Sequence, residues 1–282
     1  AMIVCDDADL YRAACGAVWA GMQNSGQSCG GVERIYVDKK VYHKFLAILK
    51  ERVEGLRVGD GKYLTSDIGA MTTRKQMMTV QEHIDDALAK GAKIFAQSKC
   101  PQNCKGNFMP CTVLTDVNHT MLTMKDETFG PVVGVMAVDS MEEAIKLAND
   151  SNLGLTCSVW SKNRKKAVQI GRRVMAGAVM INDHLMSHGL AETPWGGFKE
   201  SGIGRTHGDI GFAEMTQPQV VVNDFLSAAP FVRRQFWWQP FEKIQYDGMK
   251  GLIDLFHGRG FWERFIGFNK LIHAFYRSFV TK

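Results

Sequence analysis

Several things are missing from this sequence, and each absence narrows the reading. No apolar stretch approaches the ~18–20 uncharged residues of a membrane-spanning helix. The longest apolar run, residues 130–138, has the length of a buried strand. The N-terminus, Ala1-Met2-Ile3-Val4-Cys5-Asp6-Asp7, carries no basic leader and so does not read as a signal peptide. It has no initiator Met either, and the chain is expected to be a fragment of something longer. Paired cysteines are lacking too: the seven (Cys5, Cys15, Cys29, Cys100, Cys104, Cys111, Cys157) are odd in number and scattered. That is no disulfide framework, and it suits a reducing, cytoplasmic setting.

What is present is ordinary for a globular protein. Apolar residues make up 45% and charged residues 22% of 282, so wholesale disorder is excluded and there is length for two domains or one large α/β unit. The net charge of +5 is unevenly placed: residues 223–282 hold 9 Lys/Arg against 5 Asp/Glu, leaving +1 for the first 222. The same segment has 15 of the 28 aromatic residues. Body and tail are different kinds of sequence.

The body alternates helical and strand signals. Helices are expected over 8–22, 41–56, 74–90, 140–149 and 164–174, the fourth opened by a capping-box pattern, Ser140 with Glu143. Strands are expected over 34–37, 93–96, 112–114, 132–138, 157–160 and 178–182. Short apolar strands between longer helices predict an α/β fold with a mainly parallel open sheet flanked by helices. Residues 219–222, after Pro218, read as an edge strand open to pairing with another chain. Residues 252–256 and 261–279 read as amphipathic helices.

Three stretches carry chemistry. In Asn24-Ser25-Gly26-Gln27-Ser28-Cys29-Gly30-Gly31-Val32-Glu33-Arg34 a cysteine sits in a turn between helix and strand, flanked by small residues that admit a substrate carbon. A thiolate there attacks carbonyls; a buried, inert cysteine is the plainer alternative. Glu127-Thr128-Phe129-Gly130-Pro131 offers a carboxylate suited to the paired hydroxyls of a ribose and an aromatic suited to a flat heterocycle, or simply a charged turn. Pro194-Trp195-Gly196-Gly197-Phe198-Lys199-Glu200-Ser201-Gly202-Ile203-Gly204-Arg205 is glycine-rich. It fails as a dinucleotide fingerprint because His207 stands where the third glycine should, with no clear helix opening there, so its glycines can equally serve a tight connection.

In this order and at these separations the three stretches resemble the aldehyde dehydrogenase superfamily, over residues 1–224, with a weaker likeness of the tail to a long-tailed branch. The resemblance implies residues 1–213 as a catalytic domain without its cofactor domain, 214–224 as an oligomerisation strand, and 225–282 as an aromatic, basic tail. It implies Cys29 as the nucleophile that adds to an aldehyde, its backbone N–H as one arm of the oxyanion hole, and NAD or NADP as hydride acceptor. Glu127 and Phe129 match the cofactor-binding pair. Ser28, Gly30 and Trp195 would line the substrate funnel, and Asn182 would support the site. The cofactor domain, the oxyanion-hole asparagine and the general-base glutamate precede the nucleophile in the family and are absent from these residues. The isolated chain is therefore expected to be inactive. Rivals are a version in which CoA thiol resolves the thioester, and a non-catalytic interaction module.

Other signals point less far. Cys100, Cys104 and Cys111 near His119 do not match zinc spacing, and no metal is expected. His184 and His188, in the loop leading to Trp195, read either as shaping the funnel or, the favoured reading, as packing or surface residues. The basic run 162–166 reads as a solvated face, and nucleic-acid binding would need a broader basic stripe. The expected partners are a small-molecule aldehyde and further copies of the chain. The tail reads either as a membrane-surface helix or as a segment docking on protein, and its modest charge surplus tips that choice toward docking.

Overall fold

Each apolar run takes the element its period dictates. The structure, a computed structural model, describes residues 1–61, 65–101, 105–223 and 242–280, with side chains to residue 277. The chain divides into two units, Ala1–Gln217 and Pro218–Lys282. In chain order the first contains β1 (Met2–Val4), α1 (Leu10–Met22), β2 (Arg34–Asp38), α2 (Tyr42–Glu54), α3 (Arg74–Ala89), β3 (Lys93–Gln97), β4 (Thr112–Thr115), α4 (Leu122–Lys125) and β5 (Val132–Val138). It continues with α5 (Met141–Asn149), β6 (Leu153–Gly154), β7 (Thr156–Trp160), α6 (Arg164–Gly171), β8 (Ala178–Ile181), α7 (Met186–Gly189), β9 (Phe198–Lys199) and α8 (Gly208–Glu214). The second unit holds α9 (Lys243–His257) and α10 (Phe261–Val280).

Side-chain caps fix where the helices begin. Asp9, Thr73, Ser140 and Asn163 each accept the backbone N–H three residues on, an interaction that contributes about 1 kcal/mol per helix. The expected capping box at Ser140 is only half made. The Glu143 carboxylate reaches past Ser140 to the Asp139 N–H at 2.7 Å.

Seven strands form one sheet in the order β3-β4-β5-β2-β1-β7-β8. Every neighbouring pair is parallel except β3 with β4. Met2, Ile3 and Val4 of β1 are all fully buried, as expected of a central parallel strand covered on both faces. Alternation along β2 splits the core in two: Ile35 joins Phe45, Leu49 and Trp160 on one face, and Tyr36 joins Ile145 and Ile170 on the other.

The strand expected over 214–224 is one that a second chain would complete; within the described chain Glu214 closes α8, and residues 217–223 belong to no helix or strand. Val220, Val221 and Val222 are 81–87% exposed. A strand needs a hydrogen-bonded neighbour, and these residues have none among those described; Asp224 lies outside the described residues. A short helix also opens at Gly208, soon after the glycine-rich loop, where none was expected.

Phe45 lies wholly buried between α2 and the sheet. Phe45→Ala should therefore lower the unfolding free energy by about 3–5 kcal/mol in a urea titration, through lost transfer energy and a residual cavity.

Candidate active site

Connecting segments meet at the amino ends of the parallel strands: Cys29 precedes β2, residues 127–129 precede β5, and Thr156 opens β7. The turn that carries Cys29 is held under strain. Asn24, Ser25 and Gly26 all adopt left-handed backbone, with φ of 52°, 57° and 69°, a conformation that costs L-residues about 1–2 kcal/mol each. Hydrogen bonds offset that cost. The Asn24 amide donates to the Gln27 carbonyl at 2.8 Å, and the Ser25 hydroxyl donates to the Gly69 carbonyl at 2.8 Å. Gly26 is required for a second reason: a Cβ there would lie 2.0 Å from the Gly130 carbonyl oxygen. The turn that carries Cys29 thus presses directly on the Glu127–Pro131 loop.

A buried carboxylate completes the joint. Glu33 accepts the Thr128 N–H at 2.9 Å and the Phe129 N–H at 2.8 Å. Burial pushes its carboxyl above the ordinary glutamate value against the opposing effect of those two N–H groups. Phe129 is itself left-handed, with φ of 51°. The Gln76 amide donates to the Thr128 carbonyl at 2.8 Å, and His83 Nδ1 meets the Thr128 hydroxyl at 3.1 Å. Every polar group of Thr128 is engaged, so the loop beside it has one conformation.

Cys29 is exposed, whereas Cys5, Cys111 and Cys157 are buried. Burial pushes the Cys5 and Cys111 thiols up to about 11. Among the described residues, the Cys29 backbone N–H meets no protein acceptor. Cys29 borders a cavity of about 270 Å³ lined also by Ser28, Glu33, Arg34, Lys125, Glu127 and Thr156. Partial desolvation raises the Glu127 carboxyl above its usual value.

The next peptide is clamped. The Gly30 carbonyl accepts the Thr156 hydroxyl at 3.0 Å and lies 2.8 Å from Nε2 of His184. His184 is 1% exposed, and burial lowers its pKa to about 3. The ring is therefore neutral, with its proton on Nε2, and its buried Nδ1 has no hydrogen-bond partner among the described residues. Trp195 packs on the same residue: a Cβ on Gly30 would lie 3.3 Å from the indole. His188 packs against Trp195 with ring centroids 5.0 Å apart and the ring planes tilted by 55°.

Of the residues singled out from sequence, the structure gathers Ser28, Cys29 and Glu127 around one cavity. Gly30 follows Cys29 with Trp195 packed on it, neither lining that cavity, and Phe129 is fixed two residues from Glu127. Asn182 is not brought there. It follows the carboxyl end of β8, at the opposite edge of the sheet, where Ser161 engages both ends of its carboxamide at 2.9 and 2.8 Å. Glu33 and Thr156 had no assigned role, the one available signal being a lone carboxylate opening the apolar run of β2; His184, read as a packing or surface residue, is buried. Among the described residues no cluster could hold a metal ion; Cys104 lies outside them. His119 instead bridges Tyr36 and Asp150 at 3.0 and 2.8 Å.

Residues 1–221 match the aldehyde dehydrogenase family. The chain belongs to that family. A 4,4'-diapolycopene aldehyde oxidase of a Methylomonas species is 39% identical over 257 residues, 91% of this chain and 47% of that protein. Betaine aldehyde dehydrogenase of Staphylococcus aureus, solved in complex with NAD+, is 35% identical with a TM-score of 0.71 over 78% of this chain and 45% of that one. Lactaldehyde dehydrogenase of Escherichia coli is 35% identical with a TM-score of 0.74, over 78% and 46%. The chain thus spans about half the length of these relatives.

Glu33→Ala leaves two N–H groups without their acceptor and should cost about 2–5 kcal/mol by urea titration; Glu33→Gln, which keeps one acceptor oxygen, should cost less. His184 generates a pH dependence. The unfolded chain protonates this ring near pH 6.5, the folded chain only near 3, so stability is lost as pH falls through that window. The thermal midpoint of the wild type should fall more steeply across it than that of His184→Gln.

Proposed function

We propose that residues 1–213 form the catalytic part of an NAD(P)-dependent aldehyde dehydrogenase that oxidises an aldehyde to a carboxylate. The observation that carries this reading is the exposed Cys29 sharing one cavity with Glu127 while its own N–H is free. In the proposed reaction Sγ adds to the aldehyde carbon, forming the C–S bond, and the carbonyl oxygen takes up the negative charge. The Cys29 N–H faces that charge, where a preorganised donor is most effective. The cofactor, when bound, accepts the hydride released from the former aldehyde carbon. Water then cleaves the C–S bond of the thioester and frees the acid.

The residues present fit the nicotinamide end of that cofactor. Glu127 is an acceptor-only carboxylate at the cavity, the right chemistry for two vicinal hydroxyls, and Phe129 is rigidly held beside it. Ser28, Gly30 and Trp195 form the substrate wall, while Asn182 steadies the far edge of the sheet. The aldehyde is best read as long and apolar. The match to the 4,4'-diapolycopene aldehyde oxidase covers 257 residues, more than the family body, and so runs into the C-terminal unit. The exposed valines at 220–222 support the reading of 214–224 as a strand completed by another copy of the chain.

Cysteine acylation can be read in the chain itself. Incubation with p-nitrophenyl acetate should release p-nitrophenolate and leave an acetyl group on the Cys29 peptide by mass spectrometry, ahead of any other cysteine. Acetylation spread evenly over all thiols would remove the nucleophile assignment. In a longer protein carrying these residues, Cys29→Ala should cut aldehyde oxidation by ~10⁴-fold or more while NAD(P) still binds.

A further inference from the structure

The C-terminal unit is built inside out. Helices α9 and α10 are joined by three residues and pack along small side chains: a Cβ on Gly251 would lie 2.5 Å from the Gly267 carbonyl, and one on Gly267 2.7 Å from the Gly251 carbonyl. Gln245, Gly248, Gly251 and Ala274 are buried and Ile244, Leu252, Leu255 and Leu271 half-buried, whereas the aromatic residues of both helices point outward. In water a helix pair gains stability by burying its large apolar side chains. This pair closes its seam with small residues and leaves its aromatic surface outside, which is the packing style of helices whose surroundings are themselves apolar.

The outward residues are ordered. On α10, Phe261, Phe265, Phe268, Ile272 and Phe275 recur at alternating spacings of four and three, and all are 43–74% exposed. On α9, Tyr246, Met249, Ile253 and Phe256 do the same, at 43–67%. At about 100° per residue, each stripe stands about 140–150° from its own glycine seam. Because the helices run antiparallel, both stripes lean toward one side of the hairpin. Lys243, Asp247, Lys250 and Asp254 of α9 and Glu263, Lys270 and Arg277 of α10 lie toward the other. Asp254 and Lys270, 4.0 Å apart, join the two charged sides.

We propose that this aromatic face lies on an anionic phospholipid surface. Two features favour a bilayer over a second copy of the hairpin. The face is broad, and six of its nine residues are bulky rings with no small residue among them. Tyr246 on the face and Tyr276 at its margin bring rings with a polar handle, suited to the boundary between headgroups and acyl chains. Residues 242–277 carry 6 Lys/Arg against 4 Asp/Glu, a small surplus whose sign suits anionic headgroups while the apolar face supplies most of the attraction. Among the described residues no helix is long and apolar enough to cross a membrane, so the hairpin lies in the interface. The sequence alone had tipped this choice toward protein docking; the inverted packing tips it back.

The test is co-sedimentation of the chain with vesicles of phosphatidylcholine alone or mixed with phosphatidylglycerol. The chain should pellet with the mixed vesicles, less with phosphatidylcholine, and less again at high salt. Phe265→Ser/Phe268→Ser, and separately Phe256→Ser on the other helix, should each lower partitioning by roughly tenfold or more, with helix content by circular dichroism unchanged in at least one. Chain that stays in the supernatant overturns the proposal. So does binding that these variants or lipid charge leave unaltered, or sedimentation velocity showing that the face instead pairs two copies. Acetylation of Cys29 is read without vesicles, so failure here leaves the oxidation reading untouched.

Discussion

The site depends on one buried carboxylate. Glu33 lies at the start of β2 and holds two backbone N–H groups of the loop that precedes β5. Without that joint, two left-handed segments, 24–26 and Phe129, would each have to hold a costly conformation alone. With it, the turn bearing the sulfur and the loop bearing Glu127 become one rigid body. The Gly26–Gly130 approach then sets the distance between them. Burial makes the charged form of Glu33 expensive, and the cost is offset because both N–H groups would otherwise be buried without acceptors.

Most of the fold was legible because its elements obey simple periods. The helices at 10–22, 74–89 and 141–149 have both an apolar stripe and an identifiable start, helix 42–54 has the stripe alone, and β5 is an uninterrupted apolar run. The antiparallel pairing of β3 was not legible, since nothing local distinguishes an antiparallel edge strand from a parallel one. The site was legible at Cys29 and Glu127, whose chemistry is carried by short local sequences. Glu33 and His184 were hidden for a physical reason: each acts through a backbone group far away in sequence, at separations of 95 and 154 residues. Residues 219–222 show the converse. Their composition is that of a strand, but a strand is a relation between two segments, and one segment cannot supply it.

The placement of the cavity also departs from the habit of open parallel sheets, whose ligands gather at the carboxyl ends. Here the carboxyl end of β8 is tied off by Asn182 and Ser161, with Asp7 accepting the Ser161 hydroxyl at 2.8 Å. The amino ends are left to do the chemistry. The neutral, clamped His184 fits this arrangement, since it stiffens the peptide beside the sulfur without adding charge near it.

Because the turn bearing the sulfur is gripped from behind, through Gly26, Glu33 and the Gly30 carbonyl, the side chains in front of it carry little of the burden of position. On the proposed reading, exchange of Ser28 or Trp195 for larger or smaller groups leaves Cys29 in register. A scaffold of this kind lets the bore of the entrance drift while the reacting atom stays put, which is how one chemistry can be re-aimed at aldehydes of very different girth.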